Sequence, residues 1–273
     1  EAVHWFENPK NQSGLWKIHI ICPSLGNESA GFYDVDKDGR KDLVGSIPET
    51  GEMVWYRAPS TPNNLTWDKF TISKKNSPGT ARYSHGLGMG DIDQDGNKDL
   101  IITEGWWKSP DDPTEELWEF QPATLGEPAA QLYAHDINGD HKPEILSSAA
   151  HQLGIWWHEQ DQTGAWKTHL IDESFSQTHA LELVDINKDG HLDLVTGKRY
   201  YAHMGKDPGG NNPPGLAWFE FKPSKQDKWL KHTIDTDSGV GVQVTVADFF
   251  GHGLMDIIVA NKKGVFVFEQ VPE

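Results

Sequence analysis

At 273 residues, with 36% hydrophobic and 11% aromatic content, the chain can bury a proper core and need not be more than one domain. A formal net charge of -17 argues against nucleic acid or an anionic membrane as partner, because either requires a basic face. With Cys22 as the single cysteine no intrachain disulfide can form, so stability must come from packing and bound ions.

The chain opens on two short alternating segments, His4-Trp5-Phe6 and Trp16-Lys17-Ile18-His19-Ile20. A longer unit then begins. An apolar strand at 30–35 runs into Asp34, Asp36, Asp38, Gly39 and Asp42, a second strand follows at 43–47, Val54-Trp55-Tyr56 forms a third, and 67–72 a fourth. The same order recurs. First strands are expected at 87–92, 132–137, 181–186 and 242–247, and second strands at 100–103, 145–148, 194–196 and 257–260. Third strands are expected at Leu117-Trp118-Glu119-Phe120, Ile155-Trp156-Trp157, Ala217-Trp218-Phe219 and Val265-Phe266-Val267-Phe268. Fourth strands are read at 166–170 and 229–234, with none between Phe120 and Leu132.

Between first and second strands stands an acidic turn: Asp91, Asp93, Asp95, Gly96 and Asp99; Asp136, Asn138, Asp140 and Glu144; Asp185, Asn187, Asp189, Gly190 and Asp193. Carboxylates at alternate positions point inward together, glycine allows the sharp bend, and the ninth residue can close an oxygen shell, which suits calcium. The spacing lacks the position-12 glutamate of a helix–loop–helix site. A fifth copy at 248–256 has Phe250 and His252 where ligands should be, so no metal is expected there. The four intact turns hold about a third of the 41 acidic residues, and four calcium ions would offset much of the charge.

Four short antiparallel strands repeated at a period of tens of residues predict an all-β protein, a β-propeller of about five complete blades plus a partial N-terminal blade. The boundaries read as 1–21 for the partial blade, then 22–72, 73–126, 127–171, 172–235 and 236–273, in a single domain. Either 1–21 closes the ring against the last unit, or the natural protein continues upstream, with up to seven blades and a fusion or partner domain. No apolar run is long enough to span a bilayer. Calcium turns of modest affinity favour the periplasm, the cell surface or the outside of the cell.

The Asp-x-Asp-x-Asp-Gly-x-x-Asp-Leu runs resemble the FG-GAP or VCBS repeats of integrin α-subunit heads and of many secreted bacterial proteins. That resemblance covers nearly the whole chain and implies fold more than function. His85-Gly86-Leu87-Gly88, Glu104-Gly105-Trp106-Trp107, Thr178-His179-Ala180-Leu181 and Gly197-Lys198-Arg199-Tyr200 are similar to the propeller part of the aldos-2-ulose dehydratase family, which implies metal-assisted loss of water from keto-sugars.

Candidate site residues follow from the repeat register. Five or six positions before each turn stand Glu28 with Ser29, His85, Gln131, His179 and Gln243, and at the second-strand ends stand Glu49, Glu104, His151, Lys198 with Arg199, and Lys262. Long insertions at 106–116 and 200–214 follow two of those ends, the latter carrying His203 and Asp207. Imidazoles and a carboxylate there match a divalent transition metal, with His85, His179 and His151 or His203 as ligands and Glu104 as ligand or base. Lys198 or Arg199 would hold an enolate or a substrate carboxylate, Trp106 and Trp107 would stack on a sugar, and Glu28, Gln131, His151, His203, Gln243 and Lys262 would contact it. His19, His169 and His232 belong to the repeat and are structural. Two functions remain open: a metal-assisted carbon–oxygen lyase or dehydratase on an oxidised or acidic sugar, and a non-catalytic module that binds glycans or proteins. Nothing supports a hydrolase, kinase or zinc ribbon.

Overall fold

Each Asp turn takes its shape from its own carboxylates. In the computed structural model, which describes residues 2–61, 64–115, 117–223 and 228–272, the first aspartate accepts the backbone N–H five residues on. Gly39 donates to Asp34 at 3.2 Å, Gly96 to Asp91 at 3.0 Å, His141 to Asp136 at 3.0 Å, Gly190 to Asp185 at 3.0 Å and Gly253 to Asp248 at 2.9 Å. The donating residue must be left-handed, with φ of 86° at Gly39 and 72° at His141. Glycine adopts that conformation without strain; His141 does not.

The ninth residue of each turn does something the sequence did not disclose. It is fully buried, and at Asp42, Asp99, Asp193 and Asp256 it accepts a backbone N–H from the end of the third strand, whereas Glu144 turns both oxygens on Ile137 and Asn138. Asp99 accepts the N–H of Ile92 at 2.8 Å on one oxygen and that of Ser109 at 2.9 Å on the other. Asp42 does the same with Val35 and Ala58, and Asp256 with Phe249 and Gln270. Burial pushes Asp99 up to about 7 and Asp193 to about 6, against the hydrogen bonds that hold the ionised form.

Strands run from these staples into antiparallel blades of the β-propeller type, in two units, Glu1–Pro122 and Ala123–Glu273. In the first, β1 (Val3–Glu7) pairs with β2 (Lys17–Cys22). One blade follows as β3 (Gly31–Tyr33), β4 (Asp42–Ile47), β5 (Glu52–Arg57) and β6 (Asp68–Thr71). A second is β7 (Gly88–Gly90), β8 (Asp99–Ile102), β9 (Gly105–Lys108) and β10 (Glu119–Pro122). Val44, Trp55 and Ile72 of one blade and Leu100, Ile102 and Trp107 of the next close a shared core.

The second unit holds β11 (Tyr133–His135), β12 (Glu144–Ser148), β13 (Leu153–Gln160) and β14 (Trp166–Ser176), then β15 (Leu181–Val184), β16 (Asp193–Lys198), β17 (Gly215–Phe221) and β18 (Trp229–Asp235). Its last blade, β19 (Val244–Ala247), β20 (Asp256–Asn261) and β21 (Gly264–Phe268), has three strands among the described residues. Of the five Asp-turn blades, four are therefore four-stranded. Val240, Val244, Ile257 and Val259 pack with Val195 and Leu216 as the core of the final pair.

The second blade corrects the sequence reading. Its third strand is β9, which turns straight back after Thr103 and Glu104 and pairs Trp106 with Ile101 and Trp107 with Leu100. The Trp118 segment leads instead into β10, the outer strand expected to be missing, whose Phe120 lies opposite Trp107. Trp106 and Trp107 are thus wall residues, 8% and 2% exposed, with no face for a sugar ring. The loop after β9 lies on the turn side, where Asn97 reaches Asp111 at 3.3 Å and Trp55 donates to Pro113 at 3.3 Å; Glu116 lies outside the described residues.

The repeat histidines are explained by packing. His19, His169 and His232 stack on Trp5, Trp157 and Trp218 at 4.3, 4.0 and 4.3 Å, and their Nε2 atoms reach Glu7, Glu159 and Glu220 at 3.0, 2.9 and 3.0 Å. His158 is a different case. It is fully buried on β13, opposite Ile145, where the other blades place Tyr56, Trp107, Phe219 and Phe268. Ser147 at 2.8 Å and Thr168 at 3.0 Å satisfy its two nitrogens, and burial pulls it down to about 4.

Two outcomes are expected. Asp99→Ala leaves two buried amides unsatisfied and should cost about 2–4 kcal/mol in urea unfolding, with calcium or with chelator alike; a cost that vanishes in chelator would make Asp99 a ligand and not a staple. His158 stays neutral in the fold while its unfolded counterpart gains a proton below pH 6.5, so its contribution is complete above that pH and is lost as pH falls toward 4. Replacing it by Gln should therefore flatten the acid limb of the stability profile by up to about 3 kcal/mol, and an unchanged limb would refute the assignment.

Candidate metal centre

The residues picked out by register fall in both units and do not share one fate. In the first, His85 is half-buried with its Nε2 3.4 Å from Glu28 Oε2. Glu104 is exposed on the turn between β8 and β9, and Glu49 accepts from Ser24 at 2.9 Å and from Arg82 at 2.7 Å.

In the second unit Gln131 is spent on structure. Its Oε1 accepts Leu181 N–H at 2.9 Å and its Nε2 donates to Val242 O at 3.3 Å, so it spaces the first strands and is not presented to a substrate. Gln243 is exposed. Lys198, expected to hold a reacting group, is 2% exposed and donates to Gln177 Oε1, Arg199 O and Gly210 O, each at 3.3 Å. Burial, then the neighbouring Arg199, pull its pKa down. It clamps the loop that follows β16.

That loop carries His203 and Asp207. After Tyr200 it winds through a short 3-10 turn, His203–Gly205, and two tight turns closed by Gly210 N–H to Asp207 O at 2.8 Å and Asn212 N–H to Gly209 O at 2.9 Å. A Cβ at Gly209 would stand 2.8 Å from Ser176 Oγ, which fixes glycine there. The winding turns Asp207 inward. Its carboxylate accepts from Gln177 Nε2 at 2.6 Å and meets His203 Nδ1 at 3.0 Å and His151 Nδ1 at 3.3 Å.

His151, His203 and Asp207 each offer a ligand atom, all within 4.8 Å of one another. The His151 and His203 rings stack at 4.5 Å, and His179, 1% exposed, stands edge-on to His151 at 5.3 Å. Burial acts to raise the Asp207 pKa, but hydrogen bonds from Gln177, His203 and His151 outweigh it and hold the carboxyl below its ordinary value. Two imidazoles and a supported carboxylate form a donor set for a divalent transition metal. Gln177, with φ 57°, and His203 and Met204, with φ 48° and 55°, are left-handed without being glycine. Such strain persists only where surrounding contacts hold it.

Repeat register leaves His151 and His203 as alternative ligands beside His179, gives Asp207 a place on the loop without a role, and does not single out Gln177. A signal was present: the adjacent pair Gly209-Gly210, placed just after an aspartate in the longest loop, marks a forced inward turn. Elsewhere, Asp34, Asp36 and Asp42 gather within 4.8 Å, as do Asp91, Asp93 and Asp99. The fifth turn, expected to hold no metal, also gathers Asp248, His252 and Asp256.

Lys198→Met should leave three carbonyl acceptors without their shared donor. The expected result is a loss of about 1–3 kcal/mol in global stability and faster proteolytic nicking within 200–214. Unchanged cleavage would show that the lysine does not hold the loop.

Against known proteins, residues 106–196 match the model of the FG-GAP-like repeat. No curated protein matches the sequence. Among solved structures, the biofilm matrix protein Bap1 of V. cholerae is similar with a TM-score of 0.41 and 14% identity, over 81% of this chain and 30% of that one. The chain thus spans under a third of that protein's length. The matched segment runs from β9 into β16, and the blades on either side carry Asp turns of the same spacing.

Proposed function

We propose that His151, His203 and Asp207 hold a divalent transition metal ion and that the chain uses it on carbohydrate, as a lyase or dehydratase of an oxidised or acidic sugar. The observation that supports this is the convergence of three ligand atoms from β12's exit and the 200–214 loop, braced by Gln177. Outer partners of that kind orient ligands and raise affinity. A metal bound there would supply Lewis acidity to a carbonyl beside the C–H bond to be broken. Gln177 fixes the Asp207 carboxylate, Lys198 fixes Gln177, and exposed His203 presents the site to solvent. Arg199, at the adjoining strand end, would stabilise negative charge that develops on the substrate.

Calcium in the Asp turns belongs to the same proposal, because alternating carboxylates around a tight turn give the oxygen shell it prefers. Turns of this kind suit a secreted, periplasmic or cell-surface protein, where calcium is plentiful. Among the described residues no helix is long and apolar enough to cross a membrane. The resemblance of short segments to the aldos-2-ulose dehydratase family points in the same chemical direction.

One observation favours a second reading, glycan capture without turnover. Lys198 is engaged by three carbonyls, which withdraws one expected catalytic group. Titration of calcium-loaded protein with zinc and manganese separates the cases. One ion beyond calcium should bind, at least 100-fold more weakly in the His151→Ala, His203→Ala double variant, and uronate or keto-sugar panels should yield unsaturated product by ultraviolet absorbance. No further ion would end the metal proposal; metal binding without product would leave capture.

A further inference from the structure

Beside the metal residues lies a cleft of about 360 Å³, within the size range of small-ligand sites. Arg199, Tyr200, Tyr201, His203, Val242 and Lys262 are among its walls. Its charge runs opposite to that of the chain. In a protein with 41 acidic and 24 basic side chains, this cleft presents an arginine and a lysine, and among the described residues no Asp or Glu lines it. The nearest acid of the loop, Asp207, faces Gln177, His151 and His203 instead.

The two cations are held differently. Arg199 is half-buried at the end of β16, where its backbone bridges Val240. Lys262 is exposed at the turn after β20, and its Nζ donates to Tyr201 O at 3.1 Å, which keeps the ammonium at the rim with donors to spare. Tyr201 is 48% exposed, so an aromatic face is offered at the same rim. Its φ of 34° is unfavourable for a side-chain-bearing residue, so local contacts must hold it there.

Resting on the reading of His203 as part of a metal site, we infer that this cleft seats the carboxylate of an acidic sugar. Arg199 and Lys262 take the carboxylate, the sugar ring lies against Tyr201, and the ring carbons next to the carboxylate are directed toward His203. Fixed guanidinium and ammonium groups stay charged through neutral pH, so they select an anion whatever the state of the histidines. Tyrosine binds the C–H face of a ring, which a bare inorganic anion does not have.

Calorimetric titration of the full chain in calcium, with glucuronate, galacturonate, glucuronamide, glucose and inorganic phosphate, tests the assignment. The uronates should bind at least 10-fold more tightly than the amide and glucose, and more tightly than phosphate. Lys262→Glu, at an exposed position that leaves the melting temperature unchanged, should abolish that preference, and Lys262→Arg should keep it. Equal binding of acid and amide, a preference untouched by Lys262→Glu, or phosphate binding as tightly as the uronates would overturn the proposal. Zinc titration without sugar reads the metal site separately. Zinc binding with no uronate preference sinks the cleft assignment alone, whereas uronate preference without zinc binding supports the cleft and sinks the metal.

Discussion

Three of the five Asp-turn blades hang on a buried carboxylate with a backbone amide on each oxygen. At Asp42, Asp99 and Asp256 the ninth residue of the turn holds the turn with one oxygen and the exit of the third strand with the other. Burying an ion is costly unless its hydrogen-bonding capacity is met, and here two donors from rigid backbone meet it. The staple fixes where strand three leaves the blade, and with it the register of the whole sheet. A blade of strands three to eleven residues long, with one face packed on its neighbour, has little else to define its ends.

The outer part of each blade is tuned to its turn by charge. The last strand-three residue is Arg57 in one blade and Lys108 in the next, and each pairs with an aspartate at the turn's third position, Asp36 and Asp93. Where the matching place in strand three, one residue before its end, holds Glu159 or Glu220, the turn's third position is an asparagine, and Asn138 and Asn187 donate to them at 3.4 and 3.1 Å. Like charges at that distance would repel, so each blade solves the same electrostatic constraint in one of two ways. The stacking partners follow suit: Phe70 lies under Trp55 where the neighbour is Arg57, and histidine lies under tryptophan where the neighbour is glutamate.

This pairing explains what could be read from the sequence alone. Asp turns, strand order and the structural histidines were legible because each is repeated, the turns five times and the histidines three. The Glu104-Gly105-Trp106-Trp107 segment was misread for a local reason. A turn of Thr103 and Glu104 leaves no visible gap between strands two and three, and Trp118, beside Phe120 of β10, imitates the missing motif. The buried His158 was invisible for the opposite cause: a histidine among aromatic positions looks like another aromatic until Ser147 and Thr168 are seen to satisfy it.

Departures from the repeat are therefore where the chain's own chemistry should be sought. Left-handed non-glycine residues make the point. Lys37, Gln94 and Lys188 occupy the same place in three Asp turns, so their conformation belongs to the blade. Gln177 shares its place, eight residues before the first aspartate, with left-handed Tyr83, whereas Tyr201, His203 and Met204 have no such counterparts and lie on the loop that carries Asp207. A rigid sheet can carry an irregular loop of this kind because its own register does not depend on it. Strain confined to one loop, buttressed by Lys198 and aimed at three ligand atoms, is a local cost that the blade's staples can sustain without loss of the fold.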